Sequence, residues 1–412
     1  MNVDHRRLGR ELDLFAFDPL LPVGMPVWLP AGAVVRGALE RYIVEAERAA
    51  GYQHVYSPPL GRQQMYEVSG HWDHYADAMF APIEDGSGQI VVRPSNCPHH
   101  IVVYRSRRRS WRELPLRIAE LGGMFRNEPS GSLSGLSRVR AMVLNDGHHF
   151  LDPAMVADEV ALVLSMIEHA YAVLGLSGHH YRLSLRGDGA RYCAKHMADP
   201  ELWDKAEAAL AAALDDLGVP YEPVPGEAAF YGPKIDVQVP GCGGREESLS
   251  SVQLDYHLPA RFELSYAAAD GARQPVMLHR SVLGSMERCL SFLLEQHNGN
   301  LPVWLAPVQV VLLPVNPSDP AQARAAGEVA NAARSAGLRV EVSAGDEQLG
   351  ARMRRARLAR VPYRLVIGDR EAPAGLVAVN LRDGRRLPPL PAPAFVAGAA
   401  AVANARGLDP WP

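Results

Sequence analysis

Cysteine is scarce in this chain: Cys97, Cys193, Cys242 and Cys289 are the four among 412 residues, and no two are spaced Cys-X-X-Cys. That excludes a disulfide-stapled scaffold and a zinc ribbon, which need closely paired cysteines, and it suits a reducing, cytoplasmic compartment. Long apolar runs are also missing. The longest, around Val308 to Val315, falls far short of the roughly 20 residues needed to cross a bilayer, so no membrane partner is expected. The charged start Met1-Asn2-Val3-Asp4-His5-Arg6-Arg7 has no apolar segment behind it and does not read as a signal peptide. Charge of one sign is lacking too: the formal net charge is −4, so any nucleic-acid contact has to come from a local basic patch. No internal repeat is visible. Hydrophobic residues make up 48% and charged residues 21%, which at this length supports two or three domains with real cores.

Periodicity divides the chain into a large and a small unit. Helical patterns at Val34 to Ala50 and Met155 to Leu174 alternate with strand-like runs such as Tyr181 to Leu185 and Ser251 to Tyr256. Strands separated by long irregular connections predict an α+β domain on an antiparallel sheet, placed at residues 1–303. The segment Asn298-Gly299-Asn300-Leu301-Pro302 reads as a linker. Residues 304–412 then alternate strand and helix (strand 308–313, helix 320–336, strand 339–342, helix 347–360, strands 364–367 and 377–380), which predicts a small α/β domain with a mainly parallel sheet. The Pro/Ala-rich stretch Leu387 to Ala405 is the one biased segment, and its alanines predict a closing helix.

Taken singly, the chemical signals are modest. Cys97, His148 and His279 are suitable zinc ligands, but their separations carry no local signature, and a buried cysteine with two hydrogen-bonded histidines is the plainer explanation. The group Arg126-Asn127-Glu128, followed by Arg138 and Arg140, fits either a triphosphate clamp or a surface ion-pair ladder. Arg352, Arg354, Arg355, Arg357 and Arg360 crowd one predicted helix and suit phosphate contacts. The run Arg105-Ser106-Arg107-Arg108-Arg109 reads as a solvated face.

Several ordered blocks together are similar to the threonyl-tRNA synthetase family of class II aminoacyl-tRNA synthetases. Arg93-Pro94-Ser95-Asn96-Cys97-Pro98, Phe125-Arg126-Asn127-Glu128-Pro129 running on to Asp146-Gly147-His148, and Pro275-Val276-Met277-Leu278-His279-Arg280 carry the resemblance. The three class II motifs have counterparts in Arg36 to Pro58, in Phe125 to Phe150, and in Gly284-Ser285-Met286-Glu287-Arg288. Ser69-Gly70-His71-Trp72-Asp73-His74-Tyr75, Ala229-Phe230-Tyr231-Gly232-Pro233-Lys234, Val252-Gln253-Leu254-Asp255 and Trp304-Leu305-Ala306-Pro307 resemble the threonyl branch in particular.

The resemblance implies a class II catalytic domain followed by an anticodon-binding-like domain, and activation of threonine by ATP with transfer to tRNA(Thr). It implies Zn²⁺ on Cys97, His148 and His279, with Asp146, Tyr231 and Gln253 as polar partners of threonine. Arg126, Glu128, Arg138 and Arg288 are implied in ATP binding with Mg²⁺, and Arg126 and Arg288 in catalysis. His71 is implied in proton movement from the terminal ribose, against the alternative of a structural histidine beside Trp72. Arg352, Arg354, Arg355 and Glu371 are implied in tRNA contact, and the first motif in homodimerisation. Zinc ligation would reject valine, which has threonine's shape and no hydroxyl.

Departures from the family pattern set further expectations. The chain starts where the family's catalytic domain starts, so the N-terminal and editing domains are expected to be missing and serine to be mis-activated, one methyl being worth only about 1–3 kcal/mol. Ala141, Met142, Leu144 and Asn145 alter the expected adenosine pocket, and Ser248-Leu249-Ser250-Ser251 replaces a Gln-Cys-Gly-Thr block. His99-His100 stands for a Gly-His pair, Asn380 for an arginine and Asp346 for an asparagine, while Glu371 is retained. These departures leave two other readings open: a paralogue passing threonine or a β-hydroxy amino acid to a non-tRNA acceptor in a biosynthetic pathway, and a non-catalytic regulator that binds threonine or tRNA.

Overall fold

A proline at the first helical position starts helix α1 (Pro30–Ala49), where its missing N–H costs no hydrogen bond. Val35, Ala38, Leu39, Tyr42 and Ile43, spaced three and four apart, form its buried stripe. The computed structural model describes every residue except 1–2, 87, 188–195, 242–243, 344, 346 and 412. Cys193, Cys242 and Asp346 therefore lie outside the described residues.

After α1 come strand β1 (Gln53–His54), helix α2 (Cys97–Arg105), strands β2 (Leu116–Phe125) and β3 (Ala141–Leu151), and helix α3 (Val156–Leu174). Strand β4 (His180–Leu185), helix α4 (Pro200–Asp216), strands β5 (Tyr221–Pro225), β6 (Lys234–Pro240), β7 (Glu246–Asp255) and β8 (Val276–Ser281), and helix α5 (Met286–Gln296) follow, with shorter helices and strands between them. The eight-stranded sheet of this large unit runs β5-β4-β6-β7-β8-β3-β2-β1. All pairs are antiparallel except the two at the edges, β5 with β4 and β1 with β2.

Register places the chemistry. Gln253 on β7 pairs with His279 on β8, which pairs with His148 on β3, so the three form one row across the sheet. Side chains alternate faces along a strand. Arg280, His149 and Asn145 therefore project to the opposite face, toward α1 and α3. There Arg280 Nη2 lies 2.7 Å from Glu47 Oε1 with both side chains fully buried, and Arg280 Nε donates to the Tyr52 hydroxyl at 3.1 Å. Tyr52 also meets His149 Nε2 at 2.6 Å, and His149 Nδ1 lies 2.8 Å from Glu159 Oε2. Gly147 leaves room for this network, since a Cβ there would lie 2.5 Å from Arg280 Cζ. Asn145 belongs to the same layer: its amide donates to Glu47 Oε1 at 2.7 Å and its carbonyl accepts from Val282 N and Leu283 N. The expectation that Asn145 shapes an adenosine pocket is thus corrected.

The small unit contains β9 (Val310–Pro314), α6 (Pro320–Ser335), β10 (Val340–Val342), α7 (Leu349–Leu358), β11 (Tyr363–Ile367), β12 (Leu376–Leu381), β13 (Leu390–Pro391) and α8 (Ala392–Asn404). Its sheet runs β10-β9-β11-β12-β13. β9 pairs in parallel with β10 and β11, but β11–β12 and β12–β13 are antiparallel, so the sheet is mixed rather than mainly parallel. Only a single helical turn, Glu371–Ala374, separates β11 from β12, and a parallel crossover needs about a dozen residues or more. The closing helix at the C-terminal end forms as expected. The linker is packed rather than free: Leu301, Trp304 and Leu305 join the core of the large unit while Val303 joins that of the small one.

Candidate active site and metal centre

Cys97 sits in the first turn of α2, and one ligand atom from each of Cys97, His148 and His279 lies within 4.8 Å of the others, all three residues buried. The two imidazoles meet edge to face with centroids 4.7 Å apart. Each has one nitrogen bonded to a neighbouring side-chain nitrogen or oxygen and the other without such a partner. His279 Nε2 lies 2.9 Å from Asp255 Oδ2, and His148 Nδ1 lies 2.7 Å from His100 Nδ1. His279 Nδ1 and His148 Nε2 are buried with no N or O hydrogen-bond partner. A thiol and two buried nitrogens that no protein nitrogen or oxygen engages form a donor set that fits Zn²⁺, which binds them with release of their protons. Burial works against charge on His279, but Cys97 and Asp255 outweigh it and lift the imidazole to about 10.

Beside this centre, Tyr231 stacks on His279 and donates from its hydroxyl to Gln253 Oε1 at 2.6 Å. Asp146, 7% exposed, lies two residues before His148 on the same strand face; burial raises its carboxyl above the usual range, with His100 and His279 pulling the other way. A cavity of about 370 Å³ opens here, lined by His71, Arg126, Phe230, Tyr231, Lys234 and Gln253. His71 is buried with Nδ1 2.8 Å from Ser69 Oγ and Nε2 2.8 Å from Ser95 Oγ. Burial, reinforced by His279 and Arg126, depresses it to about 3.

Arg126 lines the cavity, and Arg288 feels its charge together with that of Arg138. Arg126 donates to Pro94 O at 3.2 Å and its guanidinium lies over the Tyr75 ring. Arg288, in the first turn of α5, donates to Ser137 O and Ser248 O. Gly284, at φ +63, makes the turn into α5, and a Cβ there would lie 2.4 Å from Leu249 O. Burial holds Arg288 below its usual range; Glu247 opposes this and the like charges of Arg126 and Arg138 add to it. Such a cluster of cations suits a polyanion. Glu128 pairs with Arg138 at 2.8 Å, the ion pair that the sequence offered as the alternative to a phosphate clamp. Met142 and Leu144 are half-buried on β3, whereas Ser250 turns into the core, bonded to Tyr171 and Val282 O.

Other expected residues lie elsewhere or act differently. Arg352 is 1% exposed and its guanidinium donates to Glu347 O, Ser343 O, Pro314 O and Val315 O. It cannot reach a phosphate, and its expected role in tRNA contact is corrected to a structural one. Arg354 and Arg355 are exposed, Arg355 paired with Glu347. Glu371 accepts from Gly368 N at 2.9 Å, and the Asn380 amide approaches Arg364 O at 3.5 Å. Arg109 departs from the solvated reading of its run: it is buried and donates to Tyr104 O and Val103 O.

Three residues beside the centre carried no role in the sequence reading: Asp255, His100 and Glu120. Two left a faint signal. Asp255 shares a strand face with Gln253 by period two, and His100 follows Cys97 by one helical turn. Glu120 reaches the site only because β2 pairs with β3, placing it opposite Asp146.

Comparison with known proteins bears on this arrangement. A family model described as tRNA synthetase class II core domain (G, H, P, S and T) matches residues 80–297, and one described as anticodon binding domain matches residues 309–397. The chain is 49% identical over 380 residues to a threonine–tRNA ligase of Bacillus velezensis, covering 92% of this chain and 58% of that protein. It is 48% identical over 394 residues to that of Anoxybacillus flavithermus, covering 95% and 61%. It thus spans about three-fifths of the length of these curated relatives. The solved RNA binding domain of threonyl-tRNA synthetase from Cryptosporidium parvum superposes with a TM-score of 0.90 at 33% identity, covering 98% of this chain and 99% of that one. Prolyl-tRNA synthetase of Giardia lamblia, at TM-score 0.75 and 17% identity, shares the fold.

Proposed function

Because this chain belongs to the threonyl-tRNA synthetase branch of the class II aminoacyl-tRNA synthetases, we propose that it activates threonine with ATP and transfers it to tRNA(Thr). The convergence of Cys97, His148 and His279 with Tyr231 and Gln253 on one sheet face, beside Arg126, carries this reading. Cys97, His148 and His279 would hold Zn²⁺, which when bound would supply a Lewis acid able to select for the polar groups of threonine. Tyr231, Gln253 and Asp146 orient the amino acid. Valine leaves the hydroxyl position unfilled and is rejected on that ground.

The threonine carboxylate attacks the α-phosphate of ATP and pyrophosphate leaves. Arg126 meets the α-phosphate and Arg288 the distal phosphates, with Mg²⁺ as the ATP counter-ion, and both arginines stabilise charge that grows in the transition state. The Glu128–Arg138 pair seats the adenine end. Aminoacyl transfer to the tRNA terminal hydroxyl follows. The depressed basicity of His71 suits a relay through the Ser95 hydroxyl better than a base that keeps the proton.

Exposed Arg354 and Arg355 on the small domain favour tRNA over a small acceptor, and intact phosphate-binding arginines disfavour a purely sensing role. Exposed Phe17, Val23 and Tyr56 near the first motif support pairing with a second copy, and the free thiols Cys97 and Cys289 suit the cytoplasm. ATP–pyrophosphate exchange with threonine, serine and valine tests the reading. Exchange with threonine and not valine is expected, together with charging of tRNA(Thr); no exchange with threonine under any condition overturns it.

A further inference from the structure

His148 presents Nε2 to the centre only if its proton sits on Nδ1, and a neutral imidazole chooses its tautomer by the partner of its other nitrogen. That partner is His100 Nδ1, 2.7 Å away. One of these two nitrogens must donate and the other accept. The choice is made on the far side of His100, where Nε2 faces Glu120 Oε2 at 3.3 Å. A carboxylate only accepts, so in the neutral His100 imidazole Nε2 carries the proton, Nδ1 accepts, and His148 Nδ1 donates. Glu120 is itself fixed: Oε1 accepts from Arg93 Nη2 at 3.0 Å, and Oε2 accepts from Ser57 Oγ at 2.6 Å. Arg93 is anchored by Gly123 O at 2.6 Å and Ser57 Oγ at 2.6 Å.

We propose that Glu120 and His100 are positioning residues that set the tautomer of His148 from two residues away, so that the lone pair of His148 Nε2 faces the metal. This rests on the zinc reading above and adds a dependence on residues that touch neither metal nor substrate. The relay is directional. In Glu120→Gln the amide oxygen is claimed by Arg93, which turns the amide NH₂ toward His100. His100 Nε2 must then accept, its Nδ1 donates, and the proton of His148 is driven onto Nε2.

The test is zinc affinity by chelator competition on the full chain, with the visible spectrum of the cobalt-substituted protein as a second readout and thermal unfolding as a control for folding. Wild type free of zinc when purified without chelator overturns the underlying zinc reading, and does so before any variant is made. With zinc bound in wild type, Glu120→Gln and His100→Leu are expected to lose 10- to 100-fold in affinity with weakened thiolate–cobalt absorption. His100→Asn, whose Oδ1 still accepts from His148 Nδ1, is expected to retain most of it. Equal zinc affinity and an unchanged cobalt spectrum in folded Glu120→Gln overturn the proposal. So does loss in His100→Asn as large as in His100→Leu, which marks a packing role instead. Should Glu120→Gln fail to fold, the comparison of His100→Asn with His100→Leu still decides.

Discussion

Tyr231 lies nearly parallel to His279, their ring centroids 4.7 Å apart and their planes 17° from parallel. The stack joins the segment before β6 to a candidate metal ligand on β8, and it leaves the Tyr231 hydroxyl to donate to Gln253. Tyr231→Phe keeps the stack and loses the hydrogen bond. Zinc content is expected to be unchanged, while KM for threonine in pyrophosphate exchange rises by up to about tenfold, corresponding to a net bond worth roughly 0.5–1.5 kcal/mol.

On the proposed reading, Cys97 supplies the thiolate of the centre. Cys97→Ser is expected to drop zinc from about one ion per chain to a small fraction and to abolish threonine-dependent exchange, because a hydroxyl is a far poorer zinc ligand than a thiolate. Elemental analysis beside the exchange assay reads both; a variant that retains full zinc refutes the ligand assignment.

The buried pair Glu47–Arg280 holds the face of the sheet opposite the site. Arg280→Met leaves the Glu47 carboxylate buried without its cation, though His54 Nε2 remains 3.0 Å from it. Unfolding by urea is expected to show a loss of about 3–5 kcal/mol.

Glu159 responds to acid. Burial alone would raise its pKa, but Arg117 and His149 outweigh that and hold it at about 2, against 4.5 when free. Its contribution is complete above the unfolded value and is lost as pH falls from about 4.5 toward about 2. The Glu159→Gln variant is expected to be less stable than wild type at neutral pH, with the gap closing across that window when unfolding is followed against pH.

On helix α7 two arginines separate structure from binding. Arg354→Ala is expected to leave thermal stability unchanged, weaken tRNA binding and lower the salt slope by about one. Arg352→Ala strands the carbonyls that its guanidinium now satisfies, and is expected to destabilise the small domain. Filter binding at several salt concentrations, paired with thermal unfolding, distinguishes the two.

Local chemistry was legible in the sequence wherever a residue's own neighbours in the chain dictated its state. The helix over Val34 to Ala50, the strand near Tyr181 and the alanine-rich closing helix follow from periodicity and propensity within a few turns of chain. The motif blocks placed Cys97, His148 and His279 as candidate ligands because their order and flanking residues matched a family. What those blocks left open was which face each side chain takes. Asn145 read as a pocket residue and Ser250 as part of a replaced block, yet β3 and β7 turn them toward the core, since a period of two assigns adjacent residues to opposite faces only once the register is known. Arg352 read as a phosphate contact because charge predicts exposure, yet carbonyls from two separate stretches, Pro314 with Val315 and Ser343 with Glu347, converge on its guanidinium.

By itself, then, the sequence determined the main periodic elements and named the candidate reactive side chains, because these depend on local pattern and on residue chemistry. Only the tertiary structure decided that Gln253, His279 and His148 form one row, that Glu120 reaches His148 through His100, and that Arg352 is buried. Those relationships are set by pairing between segments far apart in the chain, and no local pattern encodes such distances.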